Sequence, residues 1–163
     1  MSKFSLQKKL FEIAPLKVDD SACLHQIHHS CFVPAWEKKA FDNFLTDHSI
    51  FGYKVSLIES PDQIIGFCLC RLILDEAEII TIAVHPDFRR QGIGSLLIDK
   101  ILHHLHNERA IKLFLEVEET NLSALHLYHR FEFQKISKRL AYYQTKNSRG
   151  DAIIMQKTFQ QTD

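Results

Sequence analysis

The apolar positions of the chain change period several times, and each change predicts an element. Lys9 to Leu16 reads as a short first strand ending at Pro15. Asp19, Asp20 and Ser21 are helix N-cap types, and Leu24, Ile27 and His28 follow at helical spacing. After Pro34 comes a second short helix, Trp36 to Leu45. Ile50 to Ile58 alternates as a strand, Ser60-Pro61-Asp62-Gln63 has turn chemistry, and Ile64 to Leu74 and Glu78 to His85 are strand-like runs. From Gly92 to His106 the period becomes helical, with Ile93, Leu96, Leu97, Ile101, Leu102 and Leu105 on one stripe. Ile111, Leu113, Leu115 and Val117 then take one face of a strand, and Lys112, Phe114 and Glu116 the other. Asn121 is the expected N-cap of a helix from Leu122 to Arg130. Phe133 to Tyr142 and Ala152 to Thr158 close the chain as two strands around the polar loop Gln144 to Gly150. The order β-α-α-β-β-β-α-β-α-β-β is that of a mixed α/β domain.

Composition narrows the class. The 163 residues fit one domain with a proper core, and a 45% apolar content is globular, not disordered. A formal net charge of zero argues against a strongly basic nucleic-acid binder. No apolar run approaches the roughly 18–20 residues of a membrane span, and the N-terminus is too charged after Lys8 for a secretory signal. Cys23, Cys31, Cys68 and Cys70 form no Cys-x-x-Cys pair and read as reduced cysteines of a cytoplasmic protein. The histidines cluster at His25, His28 and His29 and again at His103, His104 and His106, without a clear ligand set, so no metal is expected.

The loop between the strand ending at His85 and the helix opening at Gly92 raises the question of chemistry. The first N–H groups of a helix have no internal partner, and the dipole there favours anions. Glycine lets backbone approach a phosphate closely, and Arg89 and Arg90 add positive charge. The loop therefore suits a phosphate or pyrophosphate, although a tight connection without a ligand uses the same glycines. A Walker A loop is excluded, because Ser95 and Leu96 follow Gly94 where lysine is required. A dinucleotide fingerprint is disfavoured by Leu97 at its third glycine and by the long segment His85 to Gln91, even though Glu116 ends the next strand at nearly the right distance.

A third pattern fits in full: Arg/Gln-x-x-Gly-x-Gly/Ala, here Arg89-Arg90-Gln91-Gly92-Ile93-Gly94. It resembles the acetyl-CoA pyrophosphate loop of the GNAT acetyltransferases. LDEAEIITIAVHPDFRRQGIGSLLIDKIL, LFLEVEETNLSALHLYHRFEF and YYQTKNSRGDAIIM are similar to the RimI-type subfamily, whose members acetylate the N-terminal alanine of small-subunit ribosomal protein eighteen. The resemblance runs from Cys31 to Met155. It implies a GNAT fold, a mixed and mostly antiparallel sheet of about seven strands with helices on both faces. It implies that Ile82, Ala83 and Val84 hold the pantetheine arm through their backbones, that Arg90, Gln91, Gly92, Ile93, Gly94 and Ser95 hold the pyrophosphate, and that Asn121 touches the cofactor. Glu116 takes the place of the general base and Tyr128 that of the general acid. The chain departs from the pattern at Glu132, where the family usually has glycine, and at Pro34-Ala35-Trp36, one residue longer than the usual Pro-Trp.

Acetyl transfer to an amine needs a neutral amine and a proton for the departing thiolate. A carboxylate ordinarily titrates about 3–4 units below an α-amine, so an acid in the base's role calls for burial or a relaying water. Read from its residues alone, Glu116 is equally a solvated strand-end acid and Tyr128 a core-edge tyrosine. A phenol stays protonated at neutral pH and can donate to a thiolate. The resemblance makes Trp36, Tyr142 and Tyr143 candidates to line an acceptor groove; read from the residues alone, Tyr142 and Tyr143 are core and rim aromatics. The expectation is one domain over residues 1–163, a cytoplasmic acetyl-CoA-dependent N-acetyltransferase acting on the N-terminal segment of a protein, with no membrane or nucleic-acid partner. A GNAT enzyme with a lysine or small-molecule acceptor, a non-catalytic acyl-CoA sensor and a dinucleotide-binding regulator are the competing readings.

Overall fold

The structure, a computed structural model, describes residues 10–140 and 150–160. Strand β1 (Phe11–Pro15) leads through a 3-10 turn into helices α1 (Ser21–Cys31) and α2 (Lys38–Thr46). Strands β2 (Ile50–Leu57), β3 (Ser60–Ile73) and β4 (Glu76–Val84) follow as a meander, then helix α3 (Ile93–Asn107), strand β5 (Lys112–Glu118), helix α4 (Leu122–Arg130) and strands β6 (Gln134–Arg139) and β7 (Ala152–Thr158). This is the element order that the hydrophobic pattern predicts.

The strands form one seven-stranded sheet in the order β1-β2-β3-β4-β5-β7-β6. Every pairing is antiparallel except β4 with β5. The parallel pair needs a crossover, and α3 supplies it. Alternation along β3 sends its side chains to two cores. Phe67 and Leu69 meet Leu24, Ile27 and Phe41 of α1 and α2 on one face. Cys68 and Cys70 meet the Leu97, Ile98 and Ile101 stripe of α3, with Leu113 and Leu115 of β5 and Tyr128 of α4, on the other. Each such leucine or isoleucine, fully buried, contributes about 1.5–3 kcal/mol.

Three expectations are corrected. Ser60 to Gln63 is not the hairpin turn: it forms the exposed start of β3, and Ile58 and Glu59 make the turn. Leu57 pairs with Ser60 but Ser56 with Ile64, so the turn-like residues bulge out of the ladder, where a proline costs no hydrogen bond. Trp36 precedes α2, because Glu37 is extended at φ −68°, ψ 153° and only Lys38 begins the helix. Asp20 precedes α1 but does not cap it: its carboxylate accepts from Lys17 N at 2.7 Å and from Lys54 Nζ at 2.8 Å. The first strand begins at Phe11, and Lys9 lies outside the described residues, as do Tyr142, Tyr143 and most of the polar loop.

Candidate active site between strands β4 and β5

The ladder between β4 and β5 holds only Glu76–Lys112, Ala77–Leu113 and Glu78–Phe114. Beyond it the two strands continue without pairing to each other, to Val84 and to Glu118. A β-irregularity in β4, where Leu69 faces Thr81 but Cys70 faces Ile79, changes the strand's course at that point. The edge of β4 turned towards β5 is thus left without a strand partner, and a cleft of about 570 Å3 opens there. Ile79 to Ile82 line it from β4, Leu115 to Glu118 from β5, and Asn121, Ala124 and Tyr128 from the α4 segment. His28, Phe32, Pro34 and Trp36 close it from the α1–α2 side.

Tyr128 and Glu116 reach this cleft from opposite faces of β5. Tyr128 packs with Leu115 and Val117 in the α3–α4 core, and its ring lies 5.6 Å from that of Phe133. The residue is 4% exposed, and its hydroxyl makes no hydrogen bond among the described residues. No buried side-chain oxygen there lacks a partner, so the phenolic oxygen is the part of Tyr128 that opens onto the cleft. Burial, with a smaller contribution from the Cys68 and Cys70 thiols, pushes the phenol well above its ordinary value. It is a proton donor across the neutral range. Glu116 is exposed and ion-paired to Arg139 of β6: Nε of the arginine donates to Oε1, and Nη2 lies against the same oxygen. The preceding residue, Lys138, bridges Glu119 at 3.0 Å and Asp151 at 3.1 Å. Arg139 was not evident in the sequence, because its approach to Glu116 depends on β7 lying between β5 and β6.

Asn121 performs the expected cap, its Oδ1 accepting from Ala124 N at 3.1 Å, and also lines the cleft. Of the three expected backbone contacts on β4, Ile82 lines the cleft. Ala83 turns into the α1–α2 core, and Val84 O accepts from the Cys31 thiol at 3.3 Å. Residues Arg90 to Ser95 are not among the cleft's walls but follow β4 through the turn Pro86–Phe88 to the open end of α3. Arg90 and Gly92 are both left-handed, at φ 60° and 81°. Gly92 is the N-cap of α3, makes no side-chain cap, and has open space where a Cβ would stand. Gly94 serves packing as well: a Cβ there would press on Leu127 Cδ2 at 3.2 Å, so its absence lets the start of α3 seat against α4. Ser95 Oγ accepts from Arg130 Nη2 at 3.0 Å. Among the described residues no three His, Cys, Asp or Glu side chains come together as metal ligands, and no helix is long and apolar enough to cross a membrane.

This arrangement offers an open strand edge for an extended chain of amides, a helix N-terminus for an anion at its far end, and a protonated phenol and a carboxylate at the cleft. Comparisons with known proteins give the family. The ribosomal protein bS18-alanine N-acetyltransferase of Salmonella typhimurium is 31% identical over 143 residues, 88% of this chain and 94% of that protein. The enzyme of the same name from Haemophilus influenzae is 31% identical over 88% of this chain and 95% of its own length. The crystal structure of the Escherichia coli ribosomal-protein-alanine N-acetyltransferase superposes with a TM-score of 0.84 at 28% identity, covering 94% of this chain and 97% of that one. Residues 22–133 match the acetyltransferase (GNAT) family, a span that takes in strands β4 and β5, helices α3 and α4 and both Glu116 and Tyr128, and to that family the chain belongs.

Proposed function

We propose that the protein transfers an acetyl group from acetyl-CoA to the α-amine at a protein N-terminus, and that its acceptor is the N-terminal alanine of ribosomal protein bS18, which would place its work in the cytoplasm. The acceptor rests on the named activity of relatives that this chain matches over nearly their full length. The chemistry rests on one observation, the β4–β5 cleft that holds Glu116 and Tyr128 together.

The residues present fit acetyl-CoA. Beyond Glu78 the free edge of β4 offers backbone donors and acceptors to an extended pantetheine arm, Ile82 foremost. The α3 N-terminus, with the backbone of Gln91, Gly92, Ile93 and Gly94 and the charge of Arg90, suits the pyrophosphate, and Gly92 leaves it room. When bound, acetyl-CoA supplies a thioester carbonyl for an amine to attack. Glu116 takes the proton of the incoming ammonium, directly or through water, while Arg139 holds one carboxylate oxygen and fixes which way the other points. Tyr128, kept protonated by its burial, gives its proton to the departing thiolate.

An α-amine is also the acceptor that this site can deprotonate. Its pKa is near 8 against about 10.4 for lysine, so lysine costs roughly 3 kcal/mol more at neutral pH, at about 1.36 kcal/mol per unit. The test is mass spectrometry of peptides incubated with acetyl-CoA. A peptide beginning with alanine in the bS18 sequence gains one acetyl group, and the same peptide blocked at its N-terminus but carrying lysines does not. A blocked peptide that reacts as fast as the free one overturns the acceptor class. No reaction of either peptide, in a protein that binds acetyl-CoA, leaves a sensor of acyl-CoA in its place.

A further inference from the structure

Trp36 is the single tryptophan of the chain, and its main chain is gripped by two histidines of α1. Trp36 N donates to Nδ1 of His28 at 3.2 Å, and Nδ1 of His25 lies 2.9 Å from Trp36 O. A carbonyl oxygen only accepts, so His25 carries its hydrogen on Nδ1. A peptide N–H only donates, so Nδ1 of His28 is bare and its hydrogen is on Nε2. Two imidazoles one helical turn apart thus sit in opposite tautomers and satisfy both polar groups of one residue.

The side chains complete the clamp. The His28 ring, 2% exposed, stacks on Trp36 at 4.6 Å and 23° between planes, and on Phe32 at 4.4 Å and 30°. Phe41 meets His28 edge-on at 5.5 Å, and Trp36 also lies against Phe41 and Phe44. His28, Phe32 and Trp36 all line the cleft that Glu116 and Tyr128 share. Trp36 belongs neither to the β4 edge nor to the α3 loop. It stands in the irregular connection between α1 and α2, where no ladder or helix fixes the backbone, so its place depends on the two histidine contacts together with the ring packing.

We propose that His25 and His28 are positioning residues for the acceptor: they fix Trp36 as the wall against which the first side chain of the incoming N-terminus packs. This rests on the reading of the cleft as an N-terminal acetyltransferase site. The ring stack alone does not suffice, since the acceptor nitrogen on His28 gives the half-buried Trp36 N–H its partner, and such a loss is worth a factor of about 5–30.

The test exploits the single tryptophan. His28→Phe keeps a buried ring and removes the acceptor; His28→Asn places a side-chain carbonyl where Nδ1 stands. Each variant is checked for folding by circular dichroism, then measured for acrylamide quenching of Trp36 fluorescence and for KM towards acetyl-CoA and the alanine peptide separately. His28→Phe is expected to raise the peptide KM by about 5- to 30-fold, with the acetyl-CoA KM within two-fold, and to raise the quenching constant. His28→Asn recovers most of both changes. An unchanged peptide KM in folded His28→Phe, an equal rise in both KM values, or an Asn variant as impaired as the Phe variant overturns the proposal. If His28→Phe does not fold, His25→Leu, on a half-buried ring, removes the other contact and must change quenching and peptide KM in the same direction. If the parent protein acetylates no peptide, the acetyltransferase reading fails, and the quenching comparison decides the clamp by itself: a rise supports it and an unchanged constant overturns it.

Discussion

Replacing Tyr128 by phenylalanine separates a catalytic hydroxyl from a structural one. The ring is buried and packs on Phe133, and phenylalanine keeps that packing. The hydroxyl has no hydrogen-bond partner among the described residues and opens onto the cleft, so folding has no bond there to lose. The expected change in unfolding free energy is therefore below about 0.5 kcal/mol, whereas a structural hydroxyl would cost about 1 kcal/mol. Turnover is expected to fall by about 10²- to 10⁴-fold, the range for loss of a general acid, which is about 2.7–5.4 kcal/mol of transition-state stabilisation. KM for acetyl-CoA stays within a factor of about three. The free thiol of the CoA released from acetyl-CoA gives the rate, and urea unfolding gives the stability. The phenol adds a signature. Burial raises it in the folded state, so above about pH 10 the unfolded chain loses this proton and the folded chain keeps it. Proton binding then favours the folded state ever less as pH rises, and parental stability declines above pH 10 more steeply than that of the phenylalanine variant. Turnover within three-fold of the parent would refute the catalytic role, and a stability loss of 1 kcal/mol or more would assign the hydroxyl to the fold.

Glu116→Gln keeps the shape and removes the charge; its rate loss is expected to be largest near neutral pH and to shrink above about pH 8, where an α-amine is already neutral, as a pH–rate profile shows. The pair with Arg139 is half exposed, so thermal unfolding changes by less than about 1 kcal/mol. Gly52→Ala would put a Cβ 2.2 Å from Cys68 O and 2.7 Å from Leu16 Cδ1, a conflict with backbone that only strand movement relieves, and a loss of about 3 kcal/mol or more is expected in urea titration. Glu132 stands at φ 66°, where a non-glycine residue pays about 1–2 kcal/mol. Glu132→Gly regains this, less the extra freedom of the unfolded chain and an exposed contact with Lys157 at 3.5 Å, so a net gain of about 0.5 kcal/mol is expected, measured as a rise in Tm.

Much of this protein is written locally. The period-2 runs from Ile50 onward, the helical stripe through Ile101 and Leu105 and the cap at Asn121 each depend on neighbours a few residues away, so they survive in the fold as expected. The loop Arg89 to Gly94 is legible for the same reason, since a helix start and its glycines are consecutive in the chain. The Glu132 departure acquires its meaning only in three dimensions: the backbone there is left-handed, the conformation glycine adopts freely, and the glutamate adopts it at a cost. Turn chemistry misled at Ser60 to Gln63, because an irregular strand end accepts proline and aspartate as readily as a loop does. The cleft itself has no sequence signature. It exists because β4 and β5 pair for three residues and then stop, a property of the whole twisted sheet. Likewise Arg139 meets Glu116, and His28 meets Trp36, across 23 and 8 residues, through strand order in one case and an irregular loop in the other. Short-range periodicity decides which elements form, and packing among distant segments decides which side chains share the cleft, because contact between them depends on the assembled sheet and not on spacing along the chain.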